Sequence, residues 1–283
     1  MRDDGVRPFT RVVGAAVLPF LAAAVVLLYI LPTRTEQLFA WTILPPLTAM
    51  FLGAAYIGGI WFFVRVVAGR RWHRVKFGFP AVVLFAGLLA IATFVHWDRF
   101  HFGHISFYTW VTLYVVTPFL VAAAALVNWR ADPGGFEERD YDVPFAPRAA
   151  LALIGALALV CGLLMFVFPA ALVDSWAWQL TPLTARVVGA ILTLPGAVNL
   201  WLLVDSRWSA FRWIFQAELA SLTFIVIAVV VARDDLAWAR PAAPVFVAGI
   251  LISLAAFAAF YAYCERRSAR VEASARRRAA TKE

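Results

Sequence analysis

Two groups of residues in this chain have side chains and spacing suited to chemistry. The first is the run His96-Trp97-Asp98-Arg99-Phe100-His101-Phe102-Gly103-His104, which holds three of the four histidines beside a carboxylate. Imidazoles with a carboxylate form a ligand set for zinc, copper or iron. Histidine also titrates near neutrality and can relay protons. His96, His101, His104 and Asp98 are therefore one candidate metal or proton-relay site. Their spacing matches no standard ligand signature, and the corresponding later loop has Asp234 but no histidine. A loop of aromatic and amphipathic rings at the membrane interface is the structural alternative.

The second group lies inside long apolar runs and comprises Arg186, Asn199, Gln216 and Glu218. An ionisable group within a bilayer is costly and is a functional candidate by default. Glu218 and Asn199 fall at similar depth on consecutive antiparallel runs and are expected to approach one another. Arg186 stands more than about two helical turns nearer the outer end. These residues would polarise a cavity. Snorkelling of Arg186, and a protonated Glu218 that bonds helices together, are the structural alternatives.

The elements that must position these groups are membrane spans. Of 283 residues, 63% are hydrophobic and 15% charged, with mean hydropathy +0.81. A soluble domain is about half apolar and about a quarter charged, so most of this surface must meet lipid. Eight apolar runs reach spanning length, near 12–31, 44–64, 78–96, 107–128, 149–169, 182–204, 213–232 and 243–264. The first is too long for a signal-peptide core and is read as a span.

Basic residues set the orientation. With a cytoplasmic N-terminus, 20 of the 25 Lys and Arg residues fall inside. Only Arg34, Arg99, Arg233 and Arg240 fall outside, and Arg186 is within a span. Both termini are expected to be cytoplasmic. Abundant Ala, Val and Arg with only two Lys (Lys76 and Lys282) fit a GC-rich bacterial genome, hence a bacterial cytoplasmic membrane.

The chain also repeats. Arg11, Pro32 and Ala40-Trp41 match Arg148, Pro169 and Ala177-Trp178 at an offset of 137. After a one-residue deletion, Pro46-Leu47-Thr48-Ala49 match Pro182-Leu183-Thr184-Ala185 at an offset of 136. That register continues through Gly53 and Gly189, Arg71-Trp72 and Arg207-Trp208, Asp98 and Asp234, and Arg130 and Arg266. The expected fold is an all-α integral membrane protein built as two parallel four-helix repeats about an axis along the membrane normal. Residues 1–130 form the first repeat, 131–147 an acidic cytoplasmic linker, 148–266 the second repeat and 267–283 a basic cytoplasmic tail.

The repeated motif contains Trp41, Pro46 and Thr48 in one copy and Trp178, Pro182 and Thr184 in the other. Proline suits the first helical turn. Residues 35–43 and 174–180 could lie as short helices in the interface, the second capped by Asp174 or Ser175, with the tryptophans as anchors. Small residues follow at four-residue spacing (Ala54 and Gly58, Ala55 and Gly59, then Gly189, Thr193 and Ala197), so the second helix of each copy is expected to pack centrally. Asp98 and Asp234, common to both copies, would cap a helix end or pair with Arg99 and Arg233.

Cys161 and Cys264 show no CxxC spacing and read as buried thiols. The basic tail would touch anionic lipid rather than nucleic acid. No phosphate-binding loop, HExxH, GxSxG or dinucleotide motif occurs, the residues name no particular cofactor, and the balance is against an enzyme. Three readings remain: a substrate-binding or transport-type protein with its site at the repeat interface, a membrane redox or metal protein using the outer histidines, and a structural subunit of a membrane complex or homo-oligomer.

Overall fold

The computed structural model describes residues 4–137 and 140–280, with side chains to 274. Arg2, Glu138, Arg139 and Lys282, and the side chains of Arg276, Arg277 and Arg278, lie outside the described residues. Eight long helices carry the chain: α1 (Pro8–Val25), α2 (Pro46–Ala68), α3 (Gly78–Val95), α4 (Ile105–Asn128), α5 (Phe145–Val167), α6 (Pro182–Asn199), α7 (Trp208–Val231) and α8 (Ala242–Ala280). Each contains a stretch long and apolar enough to cross a membrane, so the protein is a multi-pass helical membrane protein in contact with a lipid bilayer. Among the described residues, extended backbone pairs only as isolated bridges.

Local chemistry sets several helix ends. Pro8, Pro46 and Pro182 stand in the first turns of α1, α2 and α6, where a missing N–H leaves nothing unsatisfied. Thr181 and Thr184 form a reciprocal capping box on α6. The end of α1 widens into a π-helical turn over Val26–Ile30. α8 runs well past the apolar stretch because Glu265 to Ala280 is rich in Arg and Ala, both good helix formers.

Packing order does not follow chain order. α2 packs on α1 and on α7; α6 packs on α5 and on α3. α3 also packs on α4, and α7 on α8, while α2 and α6 touch one another. Each half thus wraps its second helix against the third helix of the other. α2 and α6 are the most buried spans, at 72% and 56%, against 11% for α8.

Glycines permit the closest approaches. A Cβ on Gly162 or Gly189 would fall 2.5 Å from the other's carbonyl oxygen, joining α5 to α6. A Cβ on Gly58 would fall 2.7 Å from the Ala217 carbonyl and 2.0 Å from Ser221 Oγ, at the α2–α7 crossing. The small residues of α2 and α6 therefore act where backbones nearly touch.

The same loop pairings occur twice. Val6 N donates to Arg70 O at 3.3 Å, and Val143 N to Ser206 O at 2.9 Å. Trp72 N donates to Asp4 O, and Trp208 N to Tyr141 O. On the opposite side, His101 N donates to Ala40 O, and Ala237 N to Ala177 O, both at 2.8 Å. Within each comparison the residues stand 136 or 137 positions apart.

The segments that lead into α2 and α6 differ from expectation. Thr35–Leu38 is a short helix, but 174–180 is turn and extended chain, and the short helix there is Pro169–Leu172. The extended form is needed because Trp178 pairs with Leu236 and Ala177 accepts from Ala237. Trp41 and Trp178 are 2% and 0% exposed, so they are core side chains and not headgroup anchors. Trp178 Nε1 donates to Thr48 Oγ1 of the other half at 2.8 Å.

Candidate functional site

The unusual polar groups occupy three levels. At mid-depth, α7 lays Ala217 and Ser221 against Gly58 of α2. Gln216 ties this crossing to α8: its Oε1 accepts from Trp61 Nε1 at 3.2 Å, and its Nε2 donates to Tyr261 Oη at 2.7 Å. The Arg65 guanidinium lies 4.7 Å from the Trp61 ring centre. Two residues along α7, Glu218 is half-buried as a residue, yet both carboxylate oxygens are inaccessible and have no hydrogen-bond partner among the described residues. An ionised carboxylate held this way costs several kcal/mol. Its position calls for a proton or a cation as partner.

Asn199 is also fully buried with both side-chain polar atoms unpartnered, but it sits against Gly155 of α5. It does not bond Glu218, because α6 and α7 are consecutive without packing face to face. Arg186 lies thirteen residues up α6 from Asn199, roughly 20 Å along the axis. The three residues do not surround one cavity.

At the opposite end of the bundle from the N-terminus, Arg186 Nη1 donates to His96 Nε2 at 2.6 Å. Arginine can only donate, so this imidazole nitrogen is the acceptor. Burial and the Arg186 charge together hold the His96 pKa below its usual value, against the opposing pull of Asp98. His101 Nδ1 faces the Phe39 carbonyl at 3.0 Å and must donate there, leaving Nε2 to accept from Thr42 Oγ1 at 3.1 Å. His104 Nδ1 accepts from the Ser106 amide at 3.2 Å and caps α4. Asp98 pairs with Arg99 at 3.2 Å on the exposed surface. The four candidate ligands thus have separate partners, and among the described residues no group of three or more His, Cys, Asp or Glu side chains is placed to hold a metal ion.

The same level holds an asymmetry. The amide of Leu47, in the first turn of α2, donates to Asp235 Oδ2 at 2.8 Å. The matched positions in the other register are Leu183, in the first turn of α6, and Arg99. An acid caps α2 where the corresponding residue for α6 is basic.

At the end of the bundle that carries the N-terminus lies a dense ionic cluster. Arg207 is 4% exposed and forks onto Asp132, with Nη1 to Oδ1 at 3.0 Å and Nη2 to Oδ2 at 2.7 Å. It also holds Asp205 at 2.6 Å, and Lys76 reaches Asp132 at 2.9 Å. Burial raises the Asp132 pKa, but the bonds from Arg207, Lys76 and the Gly134 amide outweigh it and hold the carboxyl well below the usual range. Glu137 behaves likewise under Arg74, His73 and Arg71.

Beside this cluster, Ser209, His73 and Asp4 stand in the order of a nucleophile, base and orienting acid. Ser209 Oγ lies 3.2 Å from His73 Nε2, and Asp4 Oδ2 lies 2.5 Å from Nδ1. Glu137 Oε1 is closer to Nε2, at 2.9 Å, and Ser209 Oγ donates to Asp140 Oδ2 at 2.5 Å. Both ring nitrogens therefore face carboxylates and Ser209 Oγ is already bonded to Asp140, so no free base stands over the hydroxyl. The cluster is a lock between the N-terminus, the linker and the second half.

Sequence reasoning missed Asp4, His73, Asp132, Arg207 and Ser209. The one available signal was the recurrence of Arg71-Trp72 as Arg207-Trp208 next to an acidic linker. Comparison with protein-family models, with curated proteins and with solved structures gives no match for this chain.

Proposed function

We propose that this chain is a substrate-binding or transport-type protein of the bacterial cytoplasmic membrane. In this reading it is two duplicated four-helix halves with both termini cytoplasmic, and its site lies where α7 of the second half crosses α2 of the first. Glu218 carries the proposal. Its buried carboxylate has no protein partner at a crossing between the halves, and a membrane span retains such a group at a cost that binding a proton or small cation would offset. The recurrence of the loop pairings at offsets of 136 and 137 supports duplication. Arg186 adds a cation at the outer end of α6, bonded to a neutral imidazole acceptor and with no acidic partner among the described residues. The basic tail would rest on anionic lipid. Metal or redox chemistry at the outer histidines is the weaker reading, since each ring is committed to a different partner.

A thermal-shift screen tests the site. Detergent-purified wild type and Glu218→Gln would be exposed to sodium, potassium, magnesium, tetraethylammonium and spermidine at pH 7. A ligand at about 100 times its Kd adds about 2.7 kcal/mol, a Tm gain of about 5–10 °C for a chain of this size. At least one cation is expected to raise the wild-type Tm and leave a monodisperse Glu218→Gln unmoved. No shift in wild type, or equal shifts in both, would sink the reading.

A further inference from the structure

We propose that one face of α8, built from Ala259, Ala262, Tyr263, Arg266, Arg267 and Arg270, is a binding site for the phosphate headgroup of an anionic phospholipid in the cytoplasmic leaflet. The proposal rests on the cytoplasmic placement of the C-terminus given above. These six residues line a surface recess of about 460 Å³. Their spacing of three and four residues keeps them on one side of the helix. Phe257, Phe260 and Cys264, on the other side, are buried in the bundle and fix which face looks outward.

Depth matches the ligand. From the start of α8 at Ala242, Ala259 lies roughly 26 Å along the axis and Arg266 roughly 36 Å. The hydrocarbon layer is about 30 Å thick. The small, apolar end of the recess therefore meets acyl and glycerol groups, and the basic end meets phosphate.

Charge matches as well. Arg266, Arg267 and Arg270 are exposed and form no ion pair among the described residues. Glu265, the acid beside Arg266, is turned away: Oε1 accepts from Trp208 Nε1 and Oε2 from Arg212, both at 2.7 Å, and Glu272, two positions beyond Arg270, has a contact of its own. Tyr263 is held in place by a 2.9 Å bond to Tyr141 Oη, and the Arg267 guanidinium lies 5.4 Å from its ring. The face presents three unneutralised guanidiniums, which bind phosphate oxygens through paired N–H groups.

Native mass spectrometry of the full-length protein tests this, titrating phosphatidylglycerol against phosphatidylcholine. Wild type is expected to retain phosphatidylglycerol preferentially. The triple variant Arg266→Gln/Arg267→Gln/Arg270→Gln should weaken that retention at least about tenfold. Arg276→Gln/Arg277→Gln/Arg278→Gln, which removes equal charge further along, should change it less than threefold. Equal retention of the two lipids, or an unaltered triple variant, would overturn the site. Displacement by inorganic phosphate at millimolar concentration would assign it to a soluble anion instead. A changed oligomeric state with unaltered lipid binding would assign the face to a second copy of the chain. Ser274→Cys in a Cys161→Ala/Cys264→Ala background separates the underlying orientation: labelling from the outside would overturn the cytoplasmic reading independently of lipid preference.

Discussion

Arg207 shows how far one side chain can reach here. It spends its guanidinium on two carboxylates from different parts of the chain, Asp132 of the linker and Asp205 of the preceding loop, and on the Gly135 carbonyl. Removing one partner of a buried pair leaves an uncompensated charge, at about 3–5 kcal/mol. Arg207→Ala is therefore expected to lower Tm on the order of 10 °C in detergent, whereas Arg34→Ala, outside the cluster, should be near neutral. The pH response has two components of the same sign. The Asp132 pKa is depressed in the folded state, so its contribution is complete above about pH 4, near the unfolded value, and is lost as pH falls further. The His96 pKa is depressed too, so the unfolded chain takes up a proton first, and stability falls as pH drops below about 6.5. Melting followed from pH 7.5 to 5 should show that upper loss in wild type and a smaller one in His96→Gln. An identical profile in the two proteins would discount His96.

At the level of elements, the glycines decide which helices meet. Gly58→Ala places a methyl against the Ala217 carbonyl and Ser221, and overpacking of that kind costs about 1–3 kcal/mol. Gly87 on α3 has nothing within 4 Å of a Cβ, so Gly87→Ala should be neutral or gain up to about 1 kcal/mol. Thermal melts of the two variants, side by side, read the difference. The spans themselves were legible in the sequence because hydropathy is a local property, and Pro46 and Pro182 marked two helix starts. What a side chain meets was not legible. Trp41 has the ring of an interface anchor but packs in a buried aromatic group with Phe39, Phe100 and Trp110. Asn199 packs against Gly155 of α5 and does not meet Glu218, since α6 and α7, consecutive in the chain, do not pack face to face. His73, the one histidine outside the outer cluster, gave no local sign that it bonds Asp4, 69 positions away.

For the molecule as a whole, the crossing of α2 with α7 and of α6 with α3 means neither half can bury its own surface. A chain cut between Gly134 and Gly135 should therefore reassemble when the two pieces are co-expressed, and co-purify through a tag on one of them. Each piece alone should aggregate or be degraded; a first piece that is monodisperse alone would contradict the interlock.

That interlock also has a consequence in time. The chain enters the membrane from its N-terminus, at about 5–20 residues per second. α2 precedes its partner α7 by roughly 160 positions, so the face around Gly58 waits roughly 10–30 s during synthesis for the surface it fits. Throughout that interval Gly58, which meets Ala217 and Ser221 of α7, stands open to lipid or to any other nascent helix, whereas Gly53 and Gly59 already face Tyr29 and Leu21 at the preceding span. Insertion of this protein should therefore depend on whatever shelters unfinished spans in the membrane, and slowing translation after residue 130 should lower its yield more than slowing it before residue 46.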